Sequence, residues 1–360
     1  MTAKQKSLGI MTRCHGPHFQ EKSYYKKLTL IGRKAGIHVF VFSPRQVDFE
    51  SRTVAGFEYR NGAWRSGIFP LPDVIYDRCF VGPSYRHYKP FVKKLQNDPQ
   101  ITFLGHGLSG KWQVHQMLSK SPELAAWIPP TEILTIAALR EMLVTYGAAV
   151  IKPSAGTHGA GVVRIVPTLN GFEIVGRDRK NEPFSRTIRT AQGLKSFIAS
   201  FTAGRTFLVQ PYLSLHAPDG TPFDVRVLVQ KNGLGTWEIT GKAVRLGDKR
   251  SITSNLHGGG KAVLLGPFLA QHYQPEVQAR IEQEIDRLAT ELPPYLEKVH
   301  GRLVELGIDV GIDTAGNVWI IEVNSSRPGR TVFRLIDDPK ARLRSIAHPV
   351  RYARYLMKSM

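Results

Sequence analysis

Gly307-Ile308-Asp309-Val310-Gly311-Ile312-Asp313-Thr314-Ala315-Gly316-Asn317-Val318-Trp319-Ile320-Ile321-Glu322-Val323-Asn324 reads as two apolar strands folded about an Ala315-Gly316 turn. A hairpin centred there sets Asp309 directly opposite Glu322 and leaves Asn324 two residues on, along the same face. Like charges directly opposite on a strand pair cost about 0.2–1 kcal/mol, so two carboxylates among valines and isoleucines are kept only where a cation comes between them. Oxygen donors of this kind suit Mg²⁺, which takes a few carboxylates together with phosphates and water. Asp309, Glu322 and Asn324 are therefore the expected metal ligands, with a solvated hairpin as the alternative, and Asp313, nearer the turn, reads as a solvated carboxylate.

Upstream, Val150-Ile151-Lys152-Pro153-Ser154-Ala155-Gly156-Thr157-His158-Gly159-Ala160-Gly161-Val162-Val163-Arg164 is a strand, a small-residue loop and a second strand. Gly156, Gly159 and Gly161 allow backbone N–H groups to close over an anion, with Ser154 in the loop and Lys152 supplying charge before it. A tight hairpin without a ligand has the same composition. Phe207-Leu208-Val209-Gln210-Pro211-Tyr212-Leu213 is an apolar strand stopping at a proline. There, free backbone groups can meet an adenine edge, with Gln210 for a polar contact and Tyr212 or Leu213 beside the ring; the bland alternative is a strand end.

Phe223-Asp224-Val225-Arg226-Val227-Leu228-Val229-Gln230 alternates, so Asp224 and Arg226 share a face on which a carboxylate orients a guanidinium toward phosphate or carboxylate oxygens. Thr240-Gly241-Lys242-Ala243-Val244-Arg245 adds two cations, Lys242 and Arg245, with a solvent-facing strand as the alternative. Ser254-Asn255-Leu256-His257-Gly258-Gly259-Gly260-Lys261 brings Asn255 and His257 on a Gly-rich loop, read as groups near a substrate or triphosphate. It resembles an esterase oxyanion turn, but no G-x-S-x-G elbow occurs in the chain. Gly105 to Lys111 satisfies G-x-x-x-x-G-K, yet Trp112 stands where a P-loop needs Ser or Thr.

The chain has 360 residues, 42% of them apolar and 22% charged, enough for two or three packed lobes and far from disordered or fibrous compositions. Two cysteines, Cys14 and Cys79, make no disulfide framework and no zinc spacing. The amino-terminal residues lack the apolar run of a signal peptide, and no 18 consecutive apolar residues occur, so a cytoplasmic protein without a membrane span is expected. The net charge of +20 predicts attraction to polyanions without saying which. Arg327, Arg330, Arg334, Lys340, Arg342, Arg344, Arg351, Arg354 and Lys358 concentrate it near the carboxyl end, read as a basic, solvated face that also helps the nearby site, with a polyanion-binding helix as the alternative.

Alternating β-rich and helical stretches in the first third (strands at 7–12, 37–44, 73–78 and 101–105, a helix near 20–35) predict a small parallel α/β lobe. The pattern then becomes mixed α+β, with helices at 111–118, 136–146 and near 275–300. The expected division is an N-terminal lobe over 1–105, a central lobe with the Gly-rich hairpin over 106–205, a C-terminal lobe with the metal site over 206–335, and a basic helix over 336–360.

Taken in order, Lys111, IKPSAGTHGAGV, LVQPYL, DVRVLV, GKAVR, SNLHGGG, GIDVG and WIIEVNSSRPGR resemble the ATP-grasp superfamily. More narrowly, DVIYDR, the pair DVRVLVQK and TGKAVR, and SNLHGGGKA resemble its YheC/YheD family of endospore-coat-associated proteins. The resemblance implies ATP held between two α+β lobes behind a small α/β lobe, with Mg²⁺, or Mn²⁺ in its place. It implies Lys111 and Lys152 on phosphates, Gln210 and Leu213 at adenine, Arg226 on the triphosphate or a substrate carboxylate, and Asp309, Glu322 and Asn324 on the metal. Many relatives carry an acidic residue at the adenine hinge or just after it for the ribose; here Ser214, Leu215 and His216 follow Leu213, leaving Asp219 or Asp224 as substitutes.

The expected chemistry is ligation of a carboxylate to an amine or thiol through an acyl-phosphate, with spore-coat proteins as further partners and His257, Arg245, Arg327 and Arg330 for an anionic substrate. No protein nucleophile is needed, in keeping with the lack of a Ser/His/Asp or Cys/His set. The alternative is a non-catalytic ATP-binding scaffold of the spore coat. Nucleic-acid binding has only the net charge behind it and no motif.

Overall fold

The computed structural model describes residues 5–79, 83–156, 159–247, 261–325 and 327–360. The architecture is mixed α+β, built on three large sheets, with a two-stranded pair, Cys14–His15 and His18–Phe19, besides them. In the first, strands lie in the order Ala63–Pro70, Thr53–Arg60, His38–Asp48, Ser7–Met11, Val74–Asp77 and Thr102–Phe103. Ser7–Met11 runs parallel to both neighbours, and the helix Lys22–Lys34 makes the crossover, as the strand-helix-strand order predicts. The hairpin of Thr53–Arg60 and Ala63–Pro70 is an addition to that expectation. Its turn is Asn61-Gly62, both with positive φ (51° and 81°), the conformation that lets a two-residue loop follow the strand twist.

The second sheet is antiparallel throughout: Pro183–Ile188, Gly171–Arg177, Val163–Thr168, Ala149–Pro153, Phe207–Pro211 and Glu132–Ile133. Alternation decides what its faces do. Ala149, Ile151, Val163, Ile165 and Val209 are buried against Leu139 and Met142 of the helix Ile136–Tyr146 and Leu194 and Ile198 of the helix Ala191–Thr202. Both helices start on a threonine whose hydroxyl accepts a backbone N–H, Thr135 from Ala138 and Thr190 from Gly193. Val150, Lys152, Arg164 and Gln210 take the other face, where each stays half-buried beside a cleft.

The third sheet, also antiparallel, orders Lys261–Leu264, Trp237–Leu246, Phe223–Lys231, Glu305–Ile312 and Val318–Asn324. Val225, Val227, Val229, Ile308 and Val310 pack on Ile281, Ile285 and Leu288 of the long helix Pro275–His300. Burying these five branched side chains yields roughly 1.5–3 kcal/mol each, which fixes the strand register and with it the opposite, charged face. Phe223–Lys231 is buried along its whole length, and Trp237–Leu246, for which a solvent-facing strand was the alternative, is buried or half-buried throughout.

Two segments sit elsewhere than the chain order suggests. Val114 and Leu118, one turn apart on the helix Lys111–Leu118, join Leu124 and Trp127 in the core under the third sheet, whereas the sequence division placed them with the central lobe. The helix Pro339–Met357 is mostly a packing element: Val350, Tyr352, Ala353, Leu356 and Met357 meet Leu8, Ile10, Tyr25 and Leu28 of the first lobe. Lys340, Arg342, Arg351 and Arg354 are its exposed cations, while the apolar stripe claims the rest of its surface.

Candidate functional site

The site begins with strand register. Near the turn, Ile312 pairs with Val318, Gly311 with Trp319 and Val310 with Ile320; Ile321 is then an extra residue, and beyond this bulge Asp309 pairs with Glu322 and Gly307 with Asn324. The bulge thus restores the facing carboxylates expected from the sequence. On the neighbouring strand Arg226 pairs with Asp309, and one strand further Arg245 pairs with Asp224. Directly paired residues share a face, so five charged side chains converge on the side of the sheet away from the valine core.

Their contacts are close and bidentate. Arg226 donates Nε to Asp309 Oδ1 at 2.6 Å and Nη2 to Oδ2 at 3.1 Å. Arg245 donates Nε to Asp224 Oδ1 at 2.6 Å, Nη2 to Asp224 Oδ2, and Nη2 to Asp309 Oδ1 at 3.0 Å. Burial alone would lower the Arg245 pKa, but Asp224 and Asp309 more than offset it and hold the guanidinium charged. Glu322 takes a different cation, Lys111 Nζ at 3.3 Å, across the gap to the next segment.

Lys111 also joins the two sheets: its backbone N–H donates to Ser154 O at 3.3 Å, and Ser154 N–H donates to Thr206 O at 3.0 Å. The start of the Lys111 helix is thereby pinned to the end of the Lys152 strand. Burial, with Lys111 adding like charge and Glu322 opposing, brings the Lys152 ammonium down to about 8. His115, one turn beyond Lys111, is likewise pushed down by burial and by Lys152. Asp224, Asp309 and Glu322 therefore face Arg226, Arg245, Lys111 and Lys152, three negative charges against four positive ones. A polyanion such as a triphosphate meets a net positive wall there.

At the strand end, Gln210 donates Nε2 to Thr131 Oγ1 at 2.6 Å, and Arg164 lies over the Tyr212 ring with its guanidinium carbon 5.1 Å from the centroid. Tyr212 and Leu213 are half-buried on the same rim. Tyr212 N–H is taken by Ala148 O at 3.0 Å, because pairing continues one residue past the proline; this backbone donor is not free as the proline stop suggested. Arg164, which the alternation of Val163-Arg164-Ile165 puts on the same sheet face as Lys152 and Gln210, is a residue that the motif reading passed over. Among the glycines, Gly156 and Gly159 stay in the loop, while Gly161 N–H is spent inside the hairpin on Arg177 O and Asp178 O (3.0 and 3.1 Å). A Cβ at Gly161 would lie 2.9 Å from Pro153 Cγ, so Gly161 serves close packing.

Other singled-out residues have settings of their own. Lys242 pairs in register with Val227, hence on the core side of the sheet, and its ammonium meets Asp286 Oδ1 at 2.7 Å on the long helix. Arg330 points away from the cleft into a buried network with Glu305 and, at 3.0 Å, Tyr76 Oη. Asp313 is no free surface acid: it accepts N–H groups of Ala315 (3.0 Å), Asn317 (2.9 Å) and the Trp319 ring (3.0 Å), and these hold its pKa down although partial burial would raise it. Asp224 stands with Arg245, and exposed Asp219 caps its own turn through Thr221 N–H at 3.0 Å. Asn255 and His257 lie outside the described residues.

The donors fit a hard cation. Among the described residues no three His, Cys, Asp or Glu side chains form a metal cluster, but Asp309, Glu322 and Asn324 together offer two carboxylates and a carboxamide oxygen. Asp309 accepts three N–H bonds of the roughly four that a carboxylate can take, so Oδ2 keeps room for a further partner. Such a partial oxygen set is how Mg²⁺ is held when phosphates complete its shell.

Two α+β sheets with a cationic cleft between them, preceded by a parallel α/β lobe, form the ATP-grasp fold. The chain is similar to the solved ATP-grasp ligase PsnB in complex with a minimal precursor (TM-score 0.55, 13% identity, 98% of this chain and 99% of that one) and to D-cycloserine synthetase DcsG (TM-score 0.53, 13% identity, 98% and 99%). The YheC/D-like ATP-grasp family model matches residues 100–356, and the chain belongs to that family. Similar relatives are the endospore coat-associated proteins YheD (32% identity, 88% of this chain and 70% of that protein) and YheC (28% identity, 93% of each), both of Bacillus subtilis strain 168. Among the described residues no helix is long and apolar enough to cross a membrane.

Proposed function

We propose that the protein is an Mg²⁺-dependent, ATP-using ligase that joins a carboxylate to an amine or thiol, with an association with the spore coat as in the names of its relatives. The observation that carries this reading is the paired arrangement of Asp309 and Glu322 with Lys111, Lys152, Arg226 and Arg245 around one cleft.

Asp309, Glu322 and Asn324 would hold Mg²⁺ or Mn²⁺, which when bound neutralises phosphate charge. Lys111 and Lys152 serve the phosphates; Gly156 and Gly159, with Ser154, cover them; Gln210, Tyr212 and Leu213 flank the adenine, with Arg164 above Tyr212. Arg226 and Arg245, held by Asp309 and Asp224, present fixed positive charge to the transferring phosphoryl group, so no reorganisation is needed as charge develops. A substrate carboxylate oxygen bonds to the γ-phosphorus as ADP departs. The nucleophile then bonds to the acyl carbon, phosphate leaves, and the nucleophile gives up its proton.

Phosphate release from Mg·ATP, measured against a panel of carboxylates and amines, tests this. A substrate pair that raises release tenfold or more is the expected result. Binding of ATP with no pair raising release would favour the non-catalytic scaffold instead.

A further inference from the structure

Gln210 carries a donor and an acceptor on one amide, and its neighbours decide which of the two a ligand meets. Beside Phe207–Pro211 in the second sheet lies the short strand Glu132–Ile133, with Ile133 opposite Leu208 and Glu132 opposite Val209. The same register, carried one residue further, sets Thr131 opposite Gln210. Val150 pairs with both Gln210 and Arg164, so Thr131, Gln210, Val150 and Arg164 form one row across the sheet on the face toward the cleft.

Thr131 is 8% exposed, and its hydroxyl oxygen touches two groups, Pro129 O at 2.8 Å and the Gln210 amide at 2.6 Å. A hydroxyl has a single proton to give. The Pro129 carbonyl can only accept, so the proton lies on that bond, and toward Gln210 the Thr131 oxygen can only accept. The amide must therefore turn Nε2 to Thr131, because the opposite orientation would set two acceptors 2.6 Å apart. Oε1 is left to accept. Gln210 is half-buried, and among the described residues no donor is bonded to this oxygen. At the other end of the row Arg164 has donors only, its Nε buried and without a partner among the described residues.

We infer that Thr131 is a positioning residue for base recognition at the nucleotide site, which is the site of the ligase reading on which this inference rests. By fixing the Gln210 amide it leaves Oε1 to accept from the 6-amino group of adenine and sets the site against 6-oxo purines. Adenine carries N–H donors at that position, where guanine carries a carbonyl acceptor. Guanine would bring its O6 against Oε1, acceptor on acceptor, and the amide cannot turn over to repair this without bringing Oε1 against the Thr131 oxygen. A glutamine with no such neighbour serves either purine by rotating its amide. The chain from Pro129 O through Thr131 to Gln210 therefore turns a two-way side chain into a one-way one, and the penalty on the wrong base contributes as much to selection as the bond to the right one.

Titration calorimetry on the full chain with Mg²⁺ and non-hydrolysable ATP and GTP analogues tests the inference, with inorganic tripolyphosphate as a probe that has no base. The readout is the ratio of the two dissociation constants, which a general loosening of the site would not move. The wild type should favour the ATP analogue tenfold or more. Thr131→Val should remove most of that preference, chiefly by improving GTP-analogue binding, and leave tripolyphosphate affinity as it is. Thr131→Ser keeps the hydroxyl and should keep the preference. Gln210→Glu added to Thr131→Val should restore it, since a carboxylate offers acceptors only. If Thr131→Val does not fold, Thr131→Ala is read in its place. A wild type that binds both analogues alike, or a preference that survives loss of the hydroxyl, overturns the inference and leaves the nucleotide site standing. A wild type that binds neither analogue overturns the ligase reading and the inference with it.

Discussion

Arg226 and Asp309, on adjacent strands and 83 residues apart in the chain, form a buried two-bond fork in which each carboxylate oxygen accepts one guanidinium N–H. Removing one member of such a pair leaves the other charged in a low-dielectric interior, which costs about 3–5 kcal/mol where nothing else compensates. Arg245 softens the loss for Asp309, so Arg226→Ala is expected to destabilise by about 3 kcal/mol in urea denaturation. Arg226→Met combined with Asp309→Leu should recover most of it. A double variant no more stable than Arg226→Ala would show that the fork carries little of the strand pairing.

Lys152 sets a pH limit on nucleotide binding. Its ammonium titrates near about 8, well below an ordinary lysine, through burial first and Lys111 second. Affinity for a triphosphate should therefore fall as pH rises through the 8 region, and Lys152→Met should bind weakly at every pH with that step gone. The stability effect has the opposite sign. Between about 8 and the ordinary lysine value the unfolded chain binds more protons than the folded one, so wild-type stability rises with pH there, and the variant lacks that rise. Analogue titrations and urea melts at pH 7 and pH 9.5 read both effects.

Gly307 is the room in which Arg226 sits. A Cβ there would lie 2.8 Å from Pro328 Cβ and 3.1 Å from Arg226 Nη1. Gly307→Ala should push the guanidinium off its fork with Asp309 and weaken analogue binding tenfold or more, with a smaller loss of stability than Arg226→Ala. Unchanged analogue affinity would separate the guanidinium from the phosphate site.

The site was legible where chemistry conflicted with its surroundings. Asp309 and Glu322 stand out because carboxylates among valines and isoleucines need a reason, and the hairpin symmetry supplied their pairing even though a bulge at Ile321 was invisible. Lys242 shows the opposite case. It was grouped with Arg245 by proximity, yet residues three apart on a strand point to opposite faces, and the structure sends Lys242 to Asp286. The seam could not be read at all. Tyr76, Arg78, Glu305 and Arg330 hydrogen-bond together at the first lobe's contact with the third sheet, and two of them, Arg78 and Glu305, are separated by 227 residues. No local pattern announces such a partner. The Asn61-Gly62 hairpin was available from its turn residues alone.

The metal and nucleotide assignments meet at Glu322, whose carboxylate faces Asp309 in register and currently holds Lys111. The most direct test is calorimetric titration of a non-hydrolysable ATP analogue, with and without Mg²⁺, into the wild type and Glu322→Ala. Micromolar binding that depends on Mg²⁺ in the wild type and weakens at least tenfold in the variant is the predicted result. Absence of binding to the wild type under both conditions, or Mg²⁺-dependent binding left intact by Glu322→Ala, would contradict the assignment of this cleft as a metal-nucleotide site.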